Sequence, residues 1–361
     1  MPKFFSAGAE PNRETIEVFD LATRPSEQLL IDALPSADAA RVLCTSLGRA
    51  QFAAAVASRF ETTQVCCHFL DLYQAQQSQQ SCLGVSNLDI ICQADLPVAE
   101  FDLVAFPLTA QGDAELTRDW LQAGHQSLRL GGSLWASTDN PTDRWLQAEL
   151  TRLFDKVTRD RADSGVLYRA VKTGPLKKVK NLACQFAFRD RGQLLQVVSR
   201  PGVFSHRRID TGARALIEGM EVRPGNRVLD LGCGSGVVSL AAAVRAEDVQ
   251  VLAIDSNPRA VQCTERGAAL NGLSNIRVAL DADAAGDAPG CYDLALANPP
   301  YFSRYRIAEI FLNGAARALK PGGTVIVVTK DADWYCEAMT TEFLDVEVAA
   351  ARGYFLVSGR R

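Results

Sequence analysis

Asn298-Pro299-Pro300-Tyr301 places an amide oxygen, a carbonyl with no N–H beside it and a flat ring within four residues. Two convergent acceptors suit an NH2 group, and a ring next to them suits a planar base or amide. The stretch follows the apolar run Tyr292–Ala297, which reads as a buried strand. Neither proline can donate to a ladder, so the chain must leave the sheet here as a stiff loop. In open α/β sheets that strand end is where ligands sit. Asn-Pro also occurs in plain turns, so the tetrapeptide alone decides nothing.

A second motif precedes it. Arg227-Val228-Leu229-Asp230-Leu231 reads as a strand, Gly232-Cys233-Gly234-Ser235-Gly236 as a turn, and Val237–Arg245 as a helix. Such glycines let the backbone approach a ligand closely. The turn by itself could serve NAD, FAD or S-adenosylmethionine. The next strand, Val249–Ile254, ends at Asp255, whose carboxylate can accept both hydroxyls of a ribose. Strand Ile276–Leu280 leads to Asp281-Ala282-Asp283, where a carboxylate could accept from an adenine amino group. For both acids the plain alternative is a solvated loop side chain.

The elements that must position these groups alternate. Ser26–Leu34 reads as a helix with Ser26 as its cap. Arg41–Cys44, Gln64–Leu70, Leu88–Cys92, Phe101–Phe106 and Ser133–Ser137 read as strands, with helices at Ala50–Arg59 and Glu115–Leu128. Val166–Val171 closes this set, and Lys172–Lys178, broken by Gly174-Pro175, is the natural linker. Cys184–Phe188 and Leu194–Val198 form a hairpin, and Gly212–Met220 a helix capped by Asp210 or Thr211. Helix Ala308–Leu319, strand Thr324–Thr329 and a late strand Tyr354–Val357 complete the chain. Strands alternating with helices predict parallel sheets covered on both faces.

The chain repeats itself. Arg41-Val42-Leu43 pairs with Arg227-Val228-Leu229, Phe101–Ala105 with Tyr292–Leu296, and Leu130-Gly131-Gly132 with Pro321-Gly322-Gly323. The offsets run from 186 to 191 residues, a drift that loop insertions allow. The expected division is therefore 1–171, a linker at 172–183, and 184–361. Where the second copy has its glycine turn, the first has Ser46-Leu47-Gly48-Arg49-Ala50. Where the second has Asn298-Pro299-Pro300-Tyr301, the first has Phe106-Pro107-Leu108-Thr109. The first copy has lost both motifs, so the second is expected to be the active one.

Composition bounds the rest. A 47% hydrophobic and 22% charged chain has ample material for two cores. Met1–Thr15 has no basic segment followed by an apolar one, and no apolar run is bilayer-length, so a cytoplasmic protein away from membranes is expected. Cys66-Cys67-His68 sits in a strand pattern, where neighbours face opposite ways, so no metal is expected. Net charge is −4, yet Lys172, Lys177, Lys178, Lys180, Arg189, Arg191, Arg200, Arg207 and Arg208 crowd the middle of the chain. That cluster is either a solvated linker or a strip that contacts phosphates.

Both motifs, in this order, resemble the class I S-adenosylmethionine-dependent methyltransferases that modify amino groups. Pro201-Gly202-Val203-Phe204-Ser205 with Asp210 and Gly212, together with the degenerate first copy, is similar to the small-domain methyltransferase family. Within it the nearest look is to ribosomal RNA guanine-N2 methyltransferases of types C and G. The resemblance implies an α/β fold of two tandem Rossmann-like class I methyltransferase domains, the first degenerate. It implies S-adenosylmethionine as cofactor and ribosomal RNA or a ribosomal subunit as partner, and two fused copies suggest a monomer.

By position, Gly232, Gly234 and Gly236 would line the methionine part of the cofactor, with Asp230 near its ammonium. Asp255 would hold the ribose and Asp283 the adenine, with Cys233, Ser256, Ala284 and Asn298 alongside. Asn298 and Pro299 would take the target amino group, Pro300 stiffening the loop and Tyr301 stacking on the ring. Lys177, Lys178, Phe204, Arg207, Arg208 and Arg304 are the expected RNA contacts. Those guanine enzymes usually continue Asn-Pro-Pro-Phe-His. Here Tyr301-Phe302-Ser303 follows, as in enzymes that methylate adenine or glutamine. A dehydrogenase could share the glycine turn and Asp255, but the proline loop has no part in hydride transfer. A non-catalytic RNA-binding module would leave the intact second motif pair without a role.

Overall fold

The computed structural model describes residues 22–34, 39–284, 286–300 and 305–361. Tyr301, Arg304 and the first 21 residues, polar and weakly patterned in sequence, lie outside the described residues.

The first sheet is built from β1 (Arg41–Thr45), β2 (Gln64–Phe69), β3 (Leu88–Cys92), β4 (Phe101–Leu108), β5 (Leu128–Thr138), β6 (Val157–Ala162) and β7 (Gly165–Val171). Its order is β3-β2-β1-β4-β5-β7-β6. The helices are α1 (Pro25–Asp32), α2 (Gln51–Arg59), α3 (Leu72–Ser81), α4 (Ala114–Ser127) and α5 (Trp145–Thr151). A hairpin follows, β8 (Cys184–Asp190) with β9 (Gln193–Ser199).

The second sheet comprises β10 (Arg227–Leu231), β11 (Gln250–Asp255), β12 (Ile276–Leu280), β13 (Tyr292–Ala297), β14 (Leu319–Thr329), β15 (Leu344–Ala351) and β16 (Tyr354–Arg360). Its order, β12-β11-β10-β13-β14-β16-β15, is the first sheet's order again. Helices α6 (Thr211–Gly219), α7 (Val237–Ala243), α8 (Pro258–Leu270), α9 (Arg306–Ala318) and α10 (Ala332–Met339) flank it. In each sheet five parallel strands are followed by an antiparallel pair. Apolar layers lie on both faces of both sheets, as buried parallel strands require. This is a tandem of Rossmann-like domains.

The duplication extends to detail. β5 and β14 show the same burial pattern along eleven residues. Each carries a bulge opposite the same place, between Phe101 and Leu103 and between Tyr292 and Leu294. Gly131 and Gly322 make that bulge with φ of 79° and 81°, which favours glycine. The repeated Gly-Gly pairs therefore sit inside β5 and β14. Arg41 and Arg227 each donate a backbone N–H to the aspartate of the facing strand, Asp102 and Asp293, both at 2.8 Å.

Local expectations need two corrections. Ser26 does not cap α1. Pro25 starts the helix one residue earlier, which suits a residue with no N–H to satisfy, and Ser26 is buried within it. The edge strands β6 and β15, the polar helix α3, and α5, α8 and α10 were not expected. Cys66-Cys67-His68 lies in β2, with the His68 ring buried and bonded to the Gln93 carbonyl at 2.7 Å. Burial pushes the imidazole down to about 4, so it is neutral at pH 7.

In the first copy the decayed turn is filled from within the fold. Glu27 of α1 accepts hydrogen bonds from Ser46 Oγ at 2.9 Å, Leu47 N at 3.4 Å and Phe52 N at 3.1 Å. Ala50, which aligns with Gly236, still holds a left-handed φ of 60°.

Candidate functional site

The C-terminal ends of β10, β11, β12 and β13 converge in the second copy, and each delivers one of the expected groups. After β10 the chain enters the glycine turn, with φ of 73°, 56° and 82° at Gly232, Gly234 and Gly236. The backbone N–H groups of Gly232 and Cys233 are held by the Ile254 carbonyl at 2.9 and 3.0 Å. The three glycines are required for different reasons. A side chain on Gly232 would press on the Phe311 ring at 2.8 Å, and one on Gly236 on Thr264 at 2.8 Å. At Gly234 nothing lies within 4 Å of where a Cβ would stand, so the backbone there faces open space. Cys233 points its thiol into the core against Thr264, leaving only its backbone for a ligand.

Asp255 ends β11. One carboxylate oxygen accepts from Gly234 N at 2.9 Å and the other from Asn257 N at 2.8 Å. Each oxygen keeps a further lone pair, which is what a vicinal diol needs. Burial pushes this carboxyl up to about 6. Asp230, one strand over, is buried at the end of β10 and bonded to the Ser239 hydroxyl. Burial raises it to about 7, with Asp255 adding to the rise.

Beyond β12, Asp281 folds its own loop by accepting from Asp283 N at 2.8 Å and Gly286 N at 3.1 Å. The Asp283 carboxylate has no hydrogen-bond donor among the described residues. Ala284 is buried against Gly314 of α9. Beside this loop lies a cavity of about 320 Å3, lined by Leu252, Ile254, Ala279, Asp283 and, from the first copy, Leu72 and Gln76. Sequence reading missed that contribution, because nothing local to α3 signals it.

Asn298 follows β13. Its Nδ2 donates to Asp210 Oδ2 at 3.1 Å. A carboxylate only accepts, so the amide NH2 must face Asp210 and the amide oxygen must face away. The same Asp210 oxygen caps α6, accepting from Ala213 N at 3.1 Å. Gly212 lets the two approach, since a Cβ there would lie 2.8 Å from Asp210 Oδ2 and 3.1 Å from Asn298 Oδ1. Among the described residues, neither Asn298 Oδ1 nor the carbonyl of buried Pro299 receives a hydrogen bond. Asp210→Ala is expected to cost about 1 kcal/mol through the lost cap, read as a lower urea midpoint with unchanged slope.

Residues 194–358 match the model of the methyltransferase small domain. That stretch is just under half of the chain and lies wholly within the second copy. Among curated relatives, ribosomal RNA small subunit methyltransferase C of Pseudomonas entomophila is 36% identical over 156 residues, 42% of this chain and 46% of the relative. The Chromohalobacter salexigens protein of the same name is 37% identical over 142 residues, 37% of this chain and 41% of the relative. The chain thus aligns with under half the length of these relatives. Among solved structures, the T. Thermophilus 16S rRNA N2 G1207 methyltransferase, in complex with AdoMet and guanosine, superposes with a TM-score of 0.78. It covers 93% of this chain and 92% of its own at 20% identity, a likeness of fold that spans both sheets.

The methyltransferase small domain does not stand apart from the first copy. Leu72 N of α3 donates to the Ser256 carbonyl at 2.8 Å, and Ser256 Oγ donates to Asp71 at 3.0 Å. The degenerate domain therefore packs directly behind Asp255. Arg207 is committed to a forked ion pair with Glu115 across the same seam, at 2.9 and 3.1 Å. Phe204 is 56% exposed and Arg208 is exposed as well. Lys177 and Lys178 are exposed on a segment that lies along α4, where Gln122 exchanges two hydrogen bonds with the Lys180 backbone. A cleft of about 960 Å3 opens there between Lys177, Lys178, Arg118 and Arg152 and shares no residue with the strand-end site. Among the described residues no group of three His, Cys, Asp or Glu is arranged to hold a metal. None of their helices is long and apolar enough to cross a membrane.

Proposed function

We propose that the chain is an S-adenosylmethionine-dependent methyltransferase that modifies the N2 amino group of a guanine in ribosomal RNA. The observation that carries this reading is the Asp210–Asn298 hydrogen bond. It commits the amide NH2 to Asp210 and leaves the amide oxygen, like the carbonyl of the following Pro299, without a donor among the described residues, at the strand end next to the glycine turn. Two fixed acceptors match the two N–H bonds of an exocyclic amino group.

The residues present fit the cofactor. The open backbone at Gly234 has room for a ligand, and Asp255 offers acceptors for two hydroxyls. The cavity beside Asp283 would take a flat heterocycle near a carboxylate with no donor among the described residues. When bound, S-adenosylmethionine supplies an electrophilic methyl group. The chain's own task is to make a poor nucleophile competent. A guanine amino lone pair is delocalised into the ring. Asn298 Oδ1 and the Pro299 carbonyl would favour the nitrogen as it becomes tetrahedral, and would hold it in line for attack. The product cation then loses a proton readily, so no dedicated base is needed. Bringing the base out of its stack costs a few kcal/mol. Stacking on Tyr301 would return about 1–3 kcal/mol.

Tyr301 after the prolines keeps adenine or a protein glutamine open as a second target. Labelled methyl transfer to ribosomal subunits, naked ribosomal RNA and protein separates them. The proposal expects a nuclease-sensitive product that digests to N2-methylguanosine, and N6-methyladenosine or a protease-sensitive label would refute it.

Cofactor affinity is expected to depend on pH. Asp255 must be ionised to accept from two hydroxyls, and its value of about 6 puts that ionisation just below neutrality. Binding of S-adenosylhomocysteine, followed by calorimetry, should weaken as pH falls below about 6, by up to about tenfold per unit. Stability of the free protein runs the other way. A raised native pKa favours folding in acid, and that contribution is lost as pH rises through about 6 and 7 at Asp255 and Asp230. Affinity that stays flat from pH 5 to 8 would remove Asp255 from the cofactor site.

A further inference from the structure

The decayed turn of the first copy ends in an arginine. Arg49 occupies the place that Ser235 holds in the second copy, and its guanidinium lies 6.0 Å from the Tyr73 ring centroid. Arg306, at the start of α9, bonds the Tyr73 hydroxyl and lies 4.9 Å from the same ring. Tyr73 is in the first turn of α3, the helix whose neighbouring residues bond Ser256 beside Asp255. One half-buried tyrosine on the domain seam therefore gathers a cation from each domain, between the cofactor strand end and the target loop.

Neither guanidinium has a carboxylate within 4 Å among the described residues. Arg49 donates to the neutral amide of Gln74 at 3.3 Å. Two like charges sharing one ring repel, and an anion between them relieves that repulsion. The ring itself offers a face to a base. A polyanion with planar bases meets both demands.

We propose that Arg49, Tyr73 and Arg306 form a subsite for a nucleotide flanking the target, its phosphate shared by the two guanidiniums. The degenerate domain would then contribute directly to substrate binding through the turn that lost its own cofactor function. This rests on the reading of the chain as an RNA methyltransferase, and the two fail separately.

The test measures binding of a fluorescein-labelled single-stranded RNA oligonucleotide by anisotropy at several salt concentrations, alongside methyl transfer. Arg49→Gln keeps a side chain that can still bond Gln74 but removes the charge. It should weaken RNA binding about tenfold and lower the salt slope by about one, as loss of one phosphate contact does. Arg49→Lys should recover most of the slope, and Arg306→Gln should behave like Arg49→Gln. Melting temperature and S-adenosylhomocysteine affinity should not change in the Arg49 variants. A structural role alone would move melting temperature and leave the salt slope untouched, and that result would overturn the subsite. Equal, Arg49-dependent binding of a polyglutamate peptide would overturn the nucleotide assignment. RNA binding that follows the expected pattern without any methyl transfer would keep the subsite and sink the enzymatic reading.

Discussion

Asn298→Ala is expected to bind S-adenosylhomocysteine normally and to transfer methyl groups at least 10²–10³-fold more slowly, as when one fixed transition-state dipole is removed. Asn298 lies at the end of a buried strand, but its side chain is only half-buried, so the fold should survive the change. The effect should fall on kcat, because the acceptor matters most as the nitrogen becomes tetrahedral. Asp210→Ala should follow it part of the way. It leaves the amide oxygen in place but free to rotate, so kcat falls while KM for RNA and cofactor affinity hold. Asn298→Asp is informative as well. It would set two carboxyl groups at hydrogen-bond distance, where Nδ2 now lies 3.1 Å from Asp210, and like charges there would disturb the loop. Single-turnover rates with saturating RNA distinguish these cases. Wild-type turnover in Asn298→Ala would end the proposed mechanism.

The second large effect concerns the seam. Arg259 of α8 is 1% exposed, and its guanidinium is spent entirely on other elements. It donates to the Ala94 carbonyl at 2.6 Å and the Pro201 carbonyl at 2.8 Å, and pairs with Asp119 at 2.7 Å. Ala94 and Asp119 belong to the first copy, Pro201 and Arg259 to the second. Arg200 adds a pair to Asp95 beside it. Arg259→Ala would leave two carbonyls and a partly buried carboxylate without partners, at a cost of about 3 kcal/mol. Arg259→Lys should restore little, since one ammonium cannot match a planar fork spread over three partners. Urea unfolding would show the loss, and for a tandem protein it should also split one transition into two. An unchanged single transition would mean that the seam is held elsewhere.

The sequence discloses elements whose burial is periodic and conceals those whose burial is not. The parallel strands are apolar on both faces, and their repeated motifs reveal the duplication. β6 and β15 are almost wholly exposed, so no alternation marks them. α3 reads LYQAQQSQQS, with too few apolar residues to show a face. At the site, Asn298, Asp255 and the glycines are local motifs and can be read directly. Asp210 was legible as a helix cap and as part of the stretch that carries the family resemblance, but not as the partner of Asn298. Its grip on Asn298 spans 88 residues and leaves no trace in either local stretch. Arg259 sits in an ordinary amphipathic helix, where a charged residue reads as surface.

The carboxylate of Glu27 gives the duplication a direction in time. It now fills the place of a ligand at the first turn, bonded to the Leu47 amide of the turn and to the Phe52 amide in the first turn of α2. Putting glycines back at positions 46 and 50 would not reopen that notch, because a resident side chain already occupies its donors. A return of the first turn to ligand binding would need the Glu27 carboxylate removed as well as the turn rebuilt.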